Sequence, residues 1–254
     1  MYFLIQARMN SSRLPGKIFK EIFPGKKMID VVYERVLLSQ YADRSKVIIL
    51  TTTNPIDDVL CKYLASKRML FFRGSENGVF ERFHAYLSSV MPAGDYFFRI
   101  CPDNPFIEPK FINAQVEFIK KHYPQQFDYI SYYSRSGKPA ILTHYGLFCE
   151  MVRTQTFIDA QTQVKDLLSS EHVTPFLYTS DKYKQGRLEI PYEIEILPMR
   201  LTVDTMQDLE VIKQIASLLH NKVSAHYDEI ISAISKRETI LENMIHSAEE
   251  NIKT

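Results

Sequence analysis

The chain has 254 residues, a hydrophobic content of 45% and a formal charge of +1, enough apolar material for one large core or two small ones. This near-neutral balance provides no global basic field, which argues against a nucleic-acid binder relying on phosphate attraction. Met1 to Ile5 is too short for a signal-peptide core, and charges interrupt every later apolar stretch before membrane-spanning length, so a cytoplasmic protein without membrane association is expected.

Tyr2 to Ile5 reads as a buried strand and Met28 to Gln40 as an amphipathic helix. Between them lies a small, polar, triply basic loop, Gln6-Ala7-Arg8-Met9-Asn10-Ser11-Ser12-Arg13-Leu14-Pro15-Gly16-Lys17. Loops at the carboxyl ends of parallel strands bind ligands in α/β sheets, and small residues let backbone N–H groups close around phosphate oxygens. Arg8, Arg13 and Lys17 supply charge for a polyphosphate, with Lys17 read as an exposed loop lysine. A merely solvated basic loop needs neither Asn10-Ser11-Ser12 nor Leu14-Pro15-Gly16, so an anion site is favoured. The segment has no GxxxxGK[ST] and no glycine-rich dinucleotide pattern, which removes the main support for ATPase and dehydrogenase readings.

Strand-like and helix-like segments then alternate, as a doubly wound, mainly parallel α/β sheet requires. Val47 to Thr52, Met69 to Phe72, Tyr96 to Cys101 and Tyr129 to Tyr132 read as strands; Pro55 to Lys67, Val79 to Val90 and Pro109 to Tyr123 read as helices. Beyond Ser134 the rhythm changes. Ala140 to Thr143 and Leu147 to Val152 read as antiparallel excursions, followed by short helices near Thr156 to Gln163 and His172 to Tyr178. Arg200 to Val203 reads as a core strand and Asp208 to His220 as a helix. Residues 1–254 are expected to form one domain, with 134–195 as an acceptor or dimerisation insertion and 224–254 as a helical tail packed on its own domain. A dimer contact through the tail is the lesser alternative. Cys61, Cys101 and Cys149 are widely spaced and lack a CxxC or His-rich partner, so they read as ordinary thiols.

The first loop resembles the N-terminal signature IIQARxxSxRLPGK of the cytidylyltransferases that activate acidic sugars, especially the spore coat polysaccharide biosynthesis protein F branch. Thr51-Thr52-Thr53-Asn54-Pro55 with Asp57-Asp58, Phe72-Arg73-Gly74-Ser75-Glu76 and Arg99-Ile100-Cys101-Pro102-Asp103-Asn104-Pro105 resemble that family's TTTNPEDD, FRGSE and RITADCP segments. Glu171-His172-Val173-Thr174-Pro175 and Arg200-Leu201-Thr202-Val203-Asp204-Thr205 match its EHVTP and LRLTVDT segments. Order and approximate spacing agree from Ile5 to Leu209.

This resemblance implies a nucleotide-diphospho-sugar transferase-like α/β/α sandwich with a mainly parallel sheet and a small β-rich acceptor region. It implies transfer of CMP from CTP to a sugar acceptor, with release of pyrophosphate, for surface polysaccharide or glycan biosynthesis, and a possible homodimer. Ala7, Arg8, Asn10, Ser11, Ser12, Arg13 and Lys17 are the expected triphosphate loop, Arg73 and Ser75 lie towards the base, and Arg99 towards the phosphates. Asp103 and Asp204 each follow an apolar segment and together are expected to hold Mg2+ against triphosphate oxygens; either alone also suits a helix cap or turn. Arg8, Lys17, Asp103 and Asp204 are the expected catalytic set. Glu150 and His172 are expected to face the acceptor, although His172 also suits a packed position at a helix edge. Where the branch commonly has GLDVE, this chain has Gly146-Leu147-Phe148-Cys149-Glu150, so an acidic position has become Phe148 and either the acceptor or the turnover is expected to change. A nucleotide-sugar-dependent glycosyltransferase on a similar sheet and a non-catalytic nucleotide-binding homologue are the alternatives.

Overall fold

A computed structural model describes residues 1–90, 96–162, 173–220 and 222–250. In chain order the strands and helices are β1 (Tyr2–Gln6), β2 (Glu21–Phe23), β3 (Lys26–Lys27), α1 (Met28–Leu37), β4 (Val47–Thr52), α2 (Asp58–Ser66), β5 (Leu70–Gly74), α3 (Val79–Val90), β6 (Tyr96–Ile100), α4 (Pro109–His122) and β7 (Tyr129–Tyr133). They continue with β8 (Glu150–Arg153), α5 (Thr154–Asp159), α6 (Pro175–Tyr178), β9 (Gln185–Glu189), α7 (Tyr192–Glu195), α8 (Met206–Leu218), α9 (Tyr227–Ser235) and α10 (Glu238–Glu250).

Seven strands form one sheet in the order β5-β4-β1-β6-β8-β7-β9, with a separate β2–β3 hairpin. β8 runs antiparallel to both β6 and β7, and the other pairings are parallel. The chain winds outward from β1 through β4 to β5 and then returns to the other side of β1 as β6. Such a reversal opens a crevice at the carboxyl ends of the two central strands.

The central strands β1, β4 and β6 are apolar at most positions because both faces are covered, and the period-2 alternation of side chains sorts them into two layers. Phe3 and Ile5 of β1, Val47 and Ile49 of β4, and Phe98 and Ile100 of β6 pack against Ile29, Val32, Leu60, Leu64, Ile112 and Val116 of α1, α2 and α4. Leu4, Ile48, Leu50 and Phe97 face the other way, onto Phe80, Phe83 and Leu87 of α3, Phe157 of α5 and Phe176 of α6. A third cluster lies beyond the sheet, where α8, α9 and α10 bury Ile212, Ile215, Ile230, Ile234, Ile240 and Met244 against Phe106, Phe111 and Phe148. Both α9 and α10 thus share a buried cluster with α8. Arg35 helps to hold it: its fully buried guanidinium donates to the Ile107 and Ala225 carbonyls at 2.8 Å each.

Several expectations change. Ala140–Leu142 is a single 3-10 turn instead of a strand. Arg200 to Val203 is extended and buried but lies outside the sheet, because its amides are satisfied by loops: Leu201 N–H donates to the His144 carbonyl and Val203 N–H to the Asp103 carbonyl, both at 2.9 Å. Residues 134–195 contribute β8 and β9 to the main sheet. No disulfide joins Cys61, Cys101 and Cys149. No helix among the described residues is long and apolar enough to cross a membrane.

Candidate active site

The loop after β1 turns on itself through hydrogen bonds from Ser11 N–H (3.1 Å) and Gly16 N–H (2.8 Å) to the Met9 carbonyl. Gly16 adopts φ +66°, in the left-handed region that glycine enters without steric cost, and so delivers Lys17 inward. Leu14 is buried in the third core cluster and anchors the basic loop to the protein. Asp57 clamps the loop from the side: its carboxylate accepts from Met9 N–H at 2.7 Å, Thr51 Oγ1 at 3.2 Å, Thr52 N–H at 3.3 Å and the Thr52 hydroxyl. The loops after β1 and β4 thereby form one unit.

Lys17 is buried, contrary to the reading of it as an exposed loop lysine. Its Nζ donates to Asp103 Oδ2 at 3.1 Å, Asp204 Oδ1 at 3.2 Å and the Val203 carbonyl at 3.0 Å. Arg13 Nη2 also reaches Asp204 Oδ1, at 2.8 Å. Burial by itself would lower the Lys17 pKa, but the Asp103 and Asp204 carboxylates outweigh it and hold the ammonium above its ordinary value. Residues 17, 103 and 204 thus meet around one positive charge at the sheet's carboxyl edge.

Two adjoining cavities open here. The first is lined by Ala7, Arg8, Ser11, Ser12, Lys17 and Arg82, among others, and the second by Arg99, Cys101, Asn104, Thr143, Phe148 and Thr202, among others. Both also share Gln6, Arg13, Asp103 and Asp204. Asn10 is exposed and lines neither.

Arg82, on α3, was not anticipated. It is buried, and desolvation together with the neighbouring Arg8 lowers its pKa to about 10. Its Nε donates to the Ser75 carbonyl at 2.9 Å, so the segment after β5 serves the first cavity by seating Arg82. Ser75 Oγ itself accepts from Gly78 N–H at 3.1 Å. Arg73 is likewise spent on structure. It donates to the Thr52 and Asn54 carbonyls at 2.8 and 3.0 Å, pairs with Asp58 at 2.7 Å, and lines neither cavity.

Arg99 does line the second cavity. It is fully desolvated, which disfavours its charge, but Cys101 and Glu150 reverse the balance and raise its pKa. Glu150 lies beneath it, 1% exposed, bonded to Arg99, to the Tyr129 hydroxyl at 2.6 Å and to Thr174 Oγ1 at 2.7 Å. Among the described residues, Glu150 lines neither cavity and meets the second through Arg99. Its expected direct contact with an acceptor is corrected, because its oxygens are already taken by protein donors. His172 lies outside the described residues.

Phe148 forms an aromatic wall of the second cavity, with its ring stacked on Phe111 at 4.8 Å between centroids and tilted against Tyr132 at 4.9 Å. Gly146 makes the close approach possible. It has φ +64°, and a Cβ there would meet the Leu201 carbonyl carbon and oxygen at 2.7 Å, pushing the 200–204 segment out of place.

Spore coat polysaccharide biosynthesis protein SpsF of Bacillus subtilis (strain 168) is 29% identical over 238 residues, covering 92% of this chain and 93% of that protein. A cytidylyltransferase structure from Leptospira borgpetersenii serovar Hardjo-bovis (strain JB197) superposes with a TM-score of 0.80 at 25% identity, covering 95% of this chain and 96% of the other. A CMP:2-keto-3-deoxy-manno-octonic acid synthetase complexed with CTP shares the fold, with a TM-score of 0.59 at 15% identity over 85% of this chain and 98% of that one. The profile of the cytidylyltransferase family matches residues 2–250, and the chain belongs to that family of nucleotidyltransferases.

Proposed function

We propose that the protein transfers CMP from CTP to a sugar, releasing pyrophosphate, in the assembly of a surface polysaccharide or related glycan. The observation that carries this reading is the pair of adjoining cavities sharing Gln6, Arg13, Asp103 and Asp204. The first, among Arg8, Ser11, Ser12, Lys17 and Arg82, offers the cationic and hydroxyl lining suited to a triphosphate, and the second is assigned to the sugar. The α-phosphate then lies at their common edge, within reach of a hydroxyl from the second cavity. Arg99 and Arg13 in that cavity favour an acceptor carrying a carboxylate.

In the reaction the acceptor hydroxyl oxygen bonds to the α-phosphorus as the bond to the β-phosphate oxygen breaks, and the hydroxyl proton is lost to solvent or phosphate. Such transfers depend on positioning and charge stabilisation. Arg8, Arg13 and Lys17 hold the departing phosphates, while Asp57 keeps their loop in place.

Among the described residues no group of three or more His, Cys, Asp or Glu could hold a metal ion, but Asp103 and Asp204 fit a divalent ion that takes its other ligands from phosphate and water. The Lys17 ammonium, 3.1 and 3.2 Å from their oxygens, supports this reading, since the two carboxylates converge on one positive charge. Mg2+ bound there would offset triphosphate charge and acidify the attacking hydroxyl. Two of the relatives, a spore coat polysaccharide biosynthesis protein and a CMP:2-keto-3-deoxy-manno-octonic acid synthetase complexed with CTP, support the same choice of substrates. A homodimer belongs to this proposal too, because Ile196 and Ile245 are exposed beside a cavity lined by Tyr145, Leu197 and Met199; sedimentation tests it.

Pyrophosphate release measured with the four nucleoside triphosphates and a panel of acidic sugars tests the reaction. The expected result is release with CTP, dependent on both acceptor and divalent ion. Nucleoside diphosphate formed from a nucleotide sugar would point to a glycosyltransferase instead. CTP binding without turnover across the panel would point to a non-catalytic homologue.

A further inference from the structure

The two oxygens of Asp204 have different surroundings. Oδ1 carries Lys17 and Arg13, which both line the first cavity, while Oδ2 accepts from Arg200 Nη2 at 3.3 Å. The Arg200 side chain is fully buried, and most of its bonding goes elsewhere. Nε and Nη2 fork onto Asp208 at 2.7 and 3.0 Å, and Nη1 meets His144 Nδ1 at 2.5 Å. Asp208 in turn accepts from Ser247 Oγ, on α10, at 2.6 Å.

Helix capping explains part of this arrangement, since Asp208 also accepts from the Asp204 and Thr205 amides at 2.9 Å each. It does not explain why a buried arginine should divide itself between Asp208 and Asp204, or why a hydroxyl should arrive from 39 residues further along the chain. A two-pronged guanidinium–carboxylate contact fixes both orientation and distance. With Asp208 holding the fork, Arg200 can spare Asp204 only one long contact, and that contact pins Oδ2 while Oδ1 stays with Lys17 and Arg13.

We propose that Ser247, Asp208 and Arg200 form a positioning relay that determines which oxygen Asp204 presents to the reaction site, making the C-terminal helix part of the catalytic support. The relay rests on the reading of Asp204 as a ligand of a divalent ion in nucleotide transfer. If Asp208 loosens, Arg200 turns more fully onto Asp204, and Oδ1 becomes a poorer ligand.

The test uses the full-length protein and Mn2+ as the probe, with affinity read by electron paramagnetic resonance in the presence of CTP. Relative to wild type, Ser247→Ala should weaken Mn2+ binding several-fold and Asp208→Asn at least tenfold, with kcat falling more than the KM for CTP. In an Asp204→Asn background the effect of Ser247→Ala should disappear, because the relay acts only through that carboxylate. Should Asp208→Asn fail to fold, losing as it does a helix cap, the Ser247→Ala cycle decides alone. Wild-type Mn2+ affinity in folded Ser247→Ala, or an equal effect with and without Asp204, overturns the relay. If wild type binds no Mn2+ through Asp103 and Asp204, the metal reading fails; a lower kcat at unchanged KM in Ser247→Ala then supports the relay, and unchanged kinetics overturn it.

Discussion

At the scale of single residues, Lys17 changes what a substitution is expected to do. An exposed loop lysine could be removed at little cost, but this one is buried between two carboxylates and a carbonyl, and removing one partner of a buried charge cluster typically costs about 3–5 kcal/mol. Part of that is recovered because Asp103 keeps a quarter of its side chain exposed to water. Lys17→Ala should therefore lower both turnover, by a factor on the order of 100, and the melting temperature, and millimolar Mg2+ should restore part of the melting temperature but not the turnover. Near-normal turnover in the folded variant would remove Lys17 from the mechanism. Phe148 calls for a gentler change than Asp, because its ring is packed on Phe111 and Tyr132 and a carboxylate there would be buried among them. Phe148→Leu forfeits ring stacking worth about 1 kcal/mol and reshapes the second cavity. Acceptor KM should change several-fold while CTP KM stays fixed, and the reverse pattern would place the ring at the wrong end of the site. Residues 8, 13, 17, 103 and 204 were legible because they sit in loops at the carboxyl ends of predicted strands or in the segments Arg99 to Pro105 and Arg200 to Thr205. Arg82 was not, since an arginine within an amphipathic helix carries no local mark distinguishing it from a solvated one.

At the scale of elements, Asp57 is the latch between the loops after β1 and β4. Asp57→Ala leaves the Met9 and Thr52 amides without their carboxylate, and each unsatisfied buried donor costs about 1–3 kcal/mol. The expected outcome is a lower melting temperature together with a raised KM for CTP and a smaller change in kcat, measurable by thermal shift and pyrophosphate release; an unaltered KM would show that the loop holds its shape without the latch. The central strands could be read from sequence because burial on both faces leaves them apolar at most positions. β9, Gln185-Gly186-Arg187-Leu188-Glu189, could not, since it lies at the sheet's edge and water on one side permits polar residues. The error at Arg200 to Val203 ran the other way. Its leucine and valine are buried as in a strand, yet its amides meet loop carbonyls, a difference that residue pattern alone does not encode.

For the whole molecule, the contacts around Asp208 link stability to pH. Burial pushes this carboxyl up, but Arg200, Ser247 and the Asp204 amide outweigh it and hold it at about 2, against an ordinary value of 3.8. Because the folded pKa is the lower one, the stabilisation is complete above about pH 4 and is lost as pH falls towards 2, amounting to on the order of 2 kcal/mol. Urea midpoints should therefore fall between pH 5 and pH 2.5 in wild type and fall less in Asp208→Asn; equal slopes would assign the acid sensitivity to other groups. The doubly wound plan was legible as an alternation of segments, whereas the meeting of residues 17, 103 and 204 depends on how the chain returns to the sheet. That return has a consequence during synthesis. The Lys17–Asp204 contact spans 187 positions, and a chain leaving the ribosome folds from its N-terminus at roughly 5–20 residues per second. For some ten seconds or more at those rates, the nascent protein displays its cationic loop with no Asp204 to neutralise it, so an emerging chain offers Lys17 more openly to polyanions than the finished enzyme, in which that ammonium is buried.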